Sequence, residues 1–597
     1  MKQTIFSQNK KVFIPLCVII IVSSIVLYHN SGNIRLNPLR FSNMLDWCIY
    51  ACGNGERLAI SGNSKQSVVV LDKNKKRIYR LDANNNEHTL FSNAMLLTLD
   101  NDNNLYVKDI NYSGFFNKNV ERILKYDPTG KFINEIYRYT YVNEDYLFTK
   151  EKISDIKYHD NFIYFLRTER DGFYLERVPT NKSIISSALS DSSEENGKAQ
   201  VLLFKHYPDA LYELKYFHIN AETKRLTTVK KNGSILQYDF TGNETGVWPV
   251  VQGTFPCMAV SDINNDIIFS DVLTCQIVKI NTVTNEREVF YKSQDGYRFE
   301  EINYTNGTVY TTPSNKYVLI LDENGTAERI DSYKFSVATI IIRCLLLITV
   351  LADILASLLL IINIILYLIP RTQSKTAKQM KLALLSILVG SSVAGSLIVH
   401  DSTGRLSRII YSNLENISRM ISSTIDTDIL KDIDGPGHWD TESYQALRNN
   451  INYLFSRNNF GGQIMYLHLW FEKDGIIYSM YDSESLFGCF YPFDTYEGQY
   501  YEEVFETGKY IRATSKIASG AWLYACGPVY DIEGNIAAFI ETGNNLTLID
   551  EKNKRQMIKT IIKVILALIV LFLTVSTYIV LYERKKSSLN KAKNIVS

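Results

Sequence analysis

Leu96-Leu97-Thr98-Leu99-Asp100-Asn101-Asp102-Asn103-Asn104-Leu105-Tyr106-Val107 reads as an apolar strand, a polar Asn/Asp turn and a second apolar strand. Arg122-Ile123-Leu124-Lys125-Tyr126-Asp127-Pro128-Thr129-Gly130 adds a third strand that ends in Asp. The same order of elements returns in Met258-Ala259-Val260-Ser261-Asp262-Ile263-Asn264-Asn265-Asp266-Ile267-Ile268-Phe269, which continues into Gln276-Ile277-Val278-Lys279-Ile280-Asn281. Further copies close at Leu81-Asp82, Arg177-Val178, Tyr238-Asp239 and Leu321-Asp322. The units recur about every 40–50 residues, with one longer interval that contains the polar insertion Ser186 to Gly197.

A three- or four-stranded unit at this period is a propeller blade. Residues 29–336 therefore read as an all-β propeller of about six blades, with a pair of β-sandwiches as the alternative. The pattern resembles the NHL and related six-bladed propellers. That resemblance implies a surface for glycans, peptides or proteins. Some propellers of this kind are lactonases or lyases with a central metal, but no His or acidic cluster stands out in the sequence. No catalytic residue, cofactor or metal is expected, and the chain is read as a non-enzyme. Asp100 to Asn104 looks like part of a calcium loop, yet an EF-hand needs Gly at its sixth position, where Leu105 stands. Turn chemistry is the better reading.

The balance of charge excludes nucleic acid as a ligand: Lys+Arg number 64 against Asp+Glu 63, a net charge of +1. Hydrophobic residues make up 46%, too many for a disordered chain. A mean hydropathy of -0.09 excludes a protein made mostly of membrane helices. The apolar content is instead concentrated in four runs long enough to cross a bilayer, at 12–28, 337–369, 382–399 and 564–582. No A-x-A-like cleavage site follows the first run, so it reads as an uncleaved anchor. Short basic segments at 1–11, 370–381 and 583–597 read as cytoplasmic. The expected protein is multi-pass in the cell membrane, with both termini inside and most of its mass, 29–336 and 400–563, outside. Asp353 falls near the middle of the second span. It is either a neutral packed carboxyl or a signalling contact within the membrane.

The block 400–563 has another character. Leu406, Ile409, Ile410, Leu414, Ile417, Met420, Ile421 and Ile425 follow helical spacing. Strand-like runs then begin at Gln463, at Ile476, at Ala521 and at Asn535, the last two joined by the turn Asp531-Ile532-Glu533-Gly534-Asn535. A long helix leaving a span, a strand ending in Tyr481-Asp482, and Trp522-Leu523-Tyr524-Ala525-Cys526-Gly527-Pro528-Val529-Tyr530-Asp531 leading toward the next span resemble an extracellular Cache sensor. This is the α+β, PAS-like sensor of bacterial chemoreceptors, cyclases, kinases and SpoIIE-type phosphatases. The resemblance implies a small-molecule pocket on the antiparallel sheet, with an amine, amino acid or carboxylate as ligand. It also implies a homodimer, and an output that is either a separate signalling partner in the cytoplasm or membrane or a domain missing from this chain, since relatives carry an output domain after the last span and here only 583–597 follow. Alternation along strands places Tyr466, His468 and Trp470 on one face, and Trp522 and Tyr524 on one face. Tyr478, Asp482 and Asp531 complete the candidate set. An aromatic wall with one or two carboxylates suits an ammonium group. Equally, the aromatics are core and both Asp residues turn formers.

Of the eight cysteines, Cys17 and Cys344 lie in apolar runs. Cys48 with Cys52, Cys257 with Cys275 and Cys489 with Cys526 are spaced to permit three disulfides, or to remain buried thiols. The expected function is a transmembrane sensor that binds an extracellular small molecule and relays it through its membrane helices. The alternatives are a surface adhesion protein that uses the propeller, with the second block as spacer, and, further off, a propeller lactonase or lyase.

Overall fold

Strand-forming runs rich in Val, Ile, Tyr and Phe, punctuated by Asp and Gly turns, favour antiparallel sheet. The computed structural model describes residues 48–332 and 409–545, apart from 63–66, 84–90, 114–117, 143–151, 182–183, 188–198, 459–465, 484–487, 496–499 and 518–519, together with the isolated Thr349. Residues 48–332 form six sheets. The first is β1 to β4 (Tyr50–Gly53, Arg57–Gly62, Ser67–Asp72, Arg77–Asp82). The second holds β5 to β8 (Ala94–Leu99, Leu105–Ser113, Lys118–Tyr126, Phe132–Val142), and the third β9 to β11 (Ile153–His159, Phe162–Thr168, Gly172–Pro179). After β11 the chain runs back to the second sheet, where β12 (Ile184–Ser187) pairs in parallel with β8, and then returns as β13 (Gln200–His206) to edge the third. Of the polar insertion noted in the sequence, only Ser186 and Ser187, at the end of β12, are among the described residues. The fourth sheet is β14 to β17 (Leu214–Asn220, Arg225–Lys230, Ile235–Asp239, Glu244–Trp248). The fifth is β18 to β21 (Pro256–Ser261, Ile267–Asp271, Gln276–Ile280, Arg287–Lys292) and the sixth β22 to β25 (Ile302–Thr305, Thr308–Thr311, Val318–Leu321, Ala327–Ile330).

The leading strands β1, β5, β9, β14, β18 and β22 touch in succession, and β22 touches β1. A closed ring of six four-stranded blades is a β-propeller. The turn residues explain the repeat. Asp72, Asp100, Asp127, Asp239, Asp262 and Asp322 each use a carboxylate oxygen to accept the backbone N–H four residues on, which closes the blade hairpin. Asp100 is thus a turn former, as its sequence context suggested.

Among the described residues, neither end of the chain lends a strand to the other's blade. Closure rests on packing of Cys48, Ala51, Leu58, Ile60, Val69 and Leu71 against Tyr310, Val318 and Ile330. Polar bonds along the axis add to it. Lys157 on β9 donates to the side-chain oxygen of Asn303 on β22, in the opposite blade, and Asn303 donates to the Ala51 carbonyl at 3.1 Å. Asp155 accepts from the Ile219 N–H at 2.7 Å, His218 Nε2 lies 3.4 Å from the Tyr304 carbonyl, and Asn220 reaches the Ser261 and Asp262 carbonyls. All of these side chains are buried.

The second unit is a six-stranded antiparallel sheet of β26 (Tyr466–Lys473), β27 (Ile476–Asp482), β28 (Tyr491–Thr495), β29 (Ile511–Ile517), β30 (Gly520–Tyr530) and β31 (Ile536–Asn545). Its order is β28-β27-β26-β31-β30-β29. A helical segment at 409–422 and the helix Glu442–Asn458 cover one face, through Leu414, Ile421, Leu447, Ile451 and Phe455 against Leu467, Leu469, Leu523, Ala525 and Ile540. The helix Tyr500–Thr507 covers part of the other, through Tyr501 and Val504 against Trp470, Cys526 and Phe539.

The expected fold class is corrected here. The propeller stands, but the PAS-like α+β Cache domain and the four transmembrane helices do not. The described chain is dominated by strands, the second unit is a strand-rich six-stranded sheet with few helices, and no helix among the described residues is long and apolar enough to cross a membrane. Helical spacing at 409–425 was a sound local signal, but it overstated the helical share of the unit. The four apolar runs, with Asp353, Cys17 and Cys344, lie outside the described residues.

Of the two readings of the cysteines, the thiol one holds: Cys48, Cys52, Cys257, Cys275, Cys489 and Cys526 form no disulfide. Cys48 and Cys52 pack into clusters on different sides of the first blade. Cys489 packs with Tyr478 and Tyr444, whereas Cys526 packs with Trp470 and Tyr501, so the sheet separates them.

Burial raises the Asp155 carboxyl to about 6. An unfolded Asp titrates near pH ~3.9. The stability that Asp155 contributes is therefore fully present below pH ~4 and is lost as pH rises through about 6. The unfolding free energy of the protein minus that of Asp155→Asn, measured by urea titration, is expected to fall across this window by up to about 1.4 kcal/mol per pH unit. A difference that is flat from pH 4 to 7 would reject the assignment.

Candidate functional site

Strand pairing in the second sheet brings one row of chemistry together. His468 on β26 lies opposite Asp482 on β27 and opposite Glu541 on β31, and Glu541 lies opposite Cys526 on β30. One step along the sheet, Tyr466 pairs with Gly543, which pairs with Tyr524. All of these side chains share a face, because alternate residues of paired strands do. Gly543 is required there: a Cβ at this position would come within 2.2 Å of the Tyr466 ring, so the ring lies directly over the backbone.

The geometry is close. His468 Nε2 is 3.3 Å from Asp482 Oδ1. The Tyr466 hydroxyl donates to Glu541 Oε1 at 2.7 Å. Ring centroids are 4.8 Å apart for Tyr466 and His468, 4.8 Å for His468 and Trp470, and 5.5 Å for Tyr466 and Trp522. Asp482, Glu541 and His468 are at most 8% exposed, and Trp470 is 1% exposed. The Trp470 indole N–H is buried without a hydrogen-bond partner among the described residues. The register places no Lys or Arg of the described strands on this face. Burial, then the neighbouring Glu541, pushes both the Tyr466 hydroxyl and the Cys526 thiol well above their ordinary range. Neither is a nucleophile near neutral pH, since a thiol attacks only as its thiolate.

Of the sequence candidates, Tyr466, His468, Trp470, Asp482, Trp522 and Tyr524 come together on this face. Tyr478 does not. It points to the helix-covered side and stacks on Phe490 with centroids 4.1 Å apart. Asp531 does not either. It accepts from the Glu533 and Asn535 N–H groups, the same turn that closes the propeller hairpins, and these bonds hold its carboxyl below the usual range. Glu541 was missed. It closes an obvious strand, but only the pairing with His468 reveals its face.

A second polar centre, the Lys157 and His218 group on the propeller axis, is internally bonded and plugs the ring. Among the described residues no group of His, Cys, Asp and Glu is arranged to hold a metal ion.

No family model matches this chain, and no curated protein matches it. Solved structures resemble it over about half its length. Selenomethionine-substituted virginiamycin B lyase from Staphylococcus aureus is 12% identical with a TM-score of 0.31, covering 48% of this chain and 86% of that one. The computationally designed Ika8 protein is 10% identical with a TM-score of 0.29, covering 49% and 89%. A protein of unknown function from Bacteroides caccae is 8% identical with a TM-score of 0.31, covering 47% and 94%.

Tyr466→Phe removes the hydroxyl that satisfies the buried Glu541. It is expected to lower stability by about 1–3 kcal/mol, read by chemical denaturation. Asp531→Asn, on an exposed turn, is expected to leave the denaturation midpoint nearly unchanged.

Proposed function

We propose that this chain is a ligand-binding protein without catalytic activity, and that the row Asp482, His468, Glu541 takes the protonated amine of a small molecule. The observation that carries the reading is a buried row of two carboxylates flanking one imidazole, on a face rich in aromatic rings. An ammonium group supplies both charge and hydrogen-bond donors to such a row. Tyr466, Trp470 and Trp522 offer ring faces to the same cation. The amine of an amino acid or of a simple amine fits this chemistry, and a bare carboxylate does not.

The surroundings suit a sensor. Thr542 follows Glu541 directly, and its hydroxyl donates to the Leu414 carbonyl at 3.1 Å and bonds Ser418 at 2.9 Å. A ligand that draws on Glu541 therefore pulls on the 409–422 helix one residue away. That is the differential contact a population shift needs, and its downstream reader is a separate signalling partner.

The test is a thermal-shift and calorimetric screen of the full chain against amino acids, amines and dicarboxylates. A ligand at a hundredfold excess over its Kd stabilises by about 2.7 kcal/mol. Amines are expected to give saturable shifts that Glu541→Gln and Trp522→Ala weaken at least tenfold, while Asp531→Asn leaves them unchanged. Dicarboxylates binding in place of amines, or binding indifferent to Glu541, would overturn the reading.

A further inference from the structure

The propeller and the second sheet are joined by specific bonds. The Trp439 indole donates to Glu213 at 2.9 Å, and Asn232 donates to Asp440 at 2.5 Å. At the opposite margin Arg298 donates to the carbonyls of Pro492 and Phe493, and the buried Tyr491 hydroxyl reaches Glu300 at 3.3 Å. Tyr491 also meets Phe255 edge-on, with centroids 5.3 Å apart. Between these two sets of bonds the surfaces part and leave a cavity of about 310 Å³. This is within the size range of small-molecule sites, roughly 300–1,000 Å³, which favour domain junctions.

One wall is the propeller loop 250–255 with Leu273, and the other is the segment 434–438 with Thr441 and Phe490. Val250 and Pro436 both lie close to Gly233, and Val251 remains 44% exposed toward solvent. Phe490, stacked on Tyr478, holds a positive φ of 60°, a costly conformation for a bulky side chain and one met most often where a site is being shaped. The charged lining is one-sided. Asp434 and His438, 3.0 Å apart, are its titratable groups, and no Lys or Arg lines it.

We propose that this junction cavity is a second binding site, for a small amphipathic cation. The apolar body of the ligand lies between Val250, Pro436 and Phe490, and its ammonium meets Asp434. An occupant touches both units at once, so binding here stiffens the junction. The site is independent of the sheet-face row and stands whether or not that row binds anything.

The test uses the full chain with phenethylamine and tryptamine as probes, phenylacetate as the anionic control, and calorimetric stoichiometry as the readout. Both amines are expected to bind saturably and phenylacetate not to bind. Val250→Trp, which fills the cavity, abolishes this site. Asp434→Asn, at an exposed position that does not endanger folding, weakens it about tenfold. Glu541→Gln leaves it intact, so failure of the sheet-face site and failure of this one are read separately. No saturable amine binding, amine binding unchanged in Val250→Trp and Asp434→Asn, or equal binding of phenylacetate would each overturn the proposal.

Discussion

Lys157 crosses the axis of a ring whose first and last blades share no strand among the described residues. Most of the ring is held by apolar packing between successive sheets, which is indifferent to whether the last interface closes. The polar bonds at the axis are not indifferent. They join β9 to β22, β22 to β1, β9 to β14 and β14 to β18. Burying a lysine beside an aspartate gains little net energy over an apolar pair, but removing either partner leaves an uncompensated charge. The plug therefore specifies a closed six-bladed ring more than it stabilises it.

The second constraint is the edge strand β28. It pairs with β27 on one side, and its carbonyls are held by Arg298 of the propeller on the other. An exposed strand edge is a liability that proteins cover in some way. Here a guanidinium and the buried Tyr491 cover it, and the same contacts fix the two units to each other. Burial pushes the Tyr491 hydroxyl well above its ordinary range and raises the Glu300 carboxyl, to which that hydroxyl donates.

Five of the six blades carry the same Asp turn in at least one hairpin, and they were legible because a turn is local chemistry that a sequence states openly; the third blade, β9 to β11 with β13, has no such turn. The aromatic stripe Tyr466, His468, Trp470 was legible for the same kind of reason, since alternation along one strand needs no partner. What was not legible is anything that depends on which strands meet. Glu541 acquires its role only through register with His468. Tyr478 was misplaced because a bulge between Ile477 and Tyr478 and another between Leu469 and Trp470 shift the alternation of its neighbours. Asp531 looked like a ligand residue and is the turn former that its own Glu533-Gly534-Asn535 context also allowed. The cysteine pairs were matched by nearness in sequence, whereas a blade stands between the side chains of Cys48 and Cys52 and a sheet between those of Cys489 and Cys526.

The distribution of buried charge separates the structural centres from the candidate one. In the second blade Lys108 pairs with Glu121 and Arg122 with Asp109, all essentially without exposure. On the axis Lys157 stands beside Asp155. Each of these centres matches a cation to an anion within the fold, and its geometry is complete as it stands. On the sheet face the register sets two carboxylates about one imidazole and adds aromatic rings, one with a buried indole N–H that has no acceptor among the described residues. A fold gains nothing in stability from that arrangement that Leu or Phe at the same positions would not supply better. An ammonium ligand would bring a cation to the carboxylates and the rings alike, which is why binding, rather than packing, is the role proposed for Asp482, His468 and Glu541.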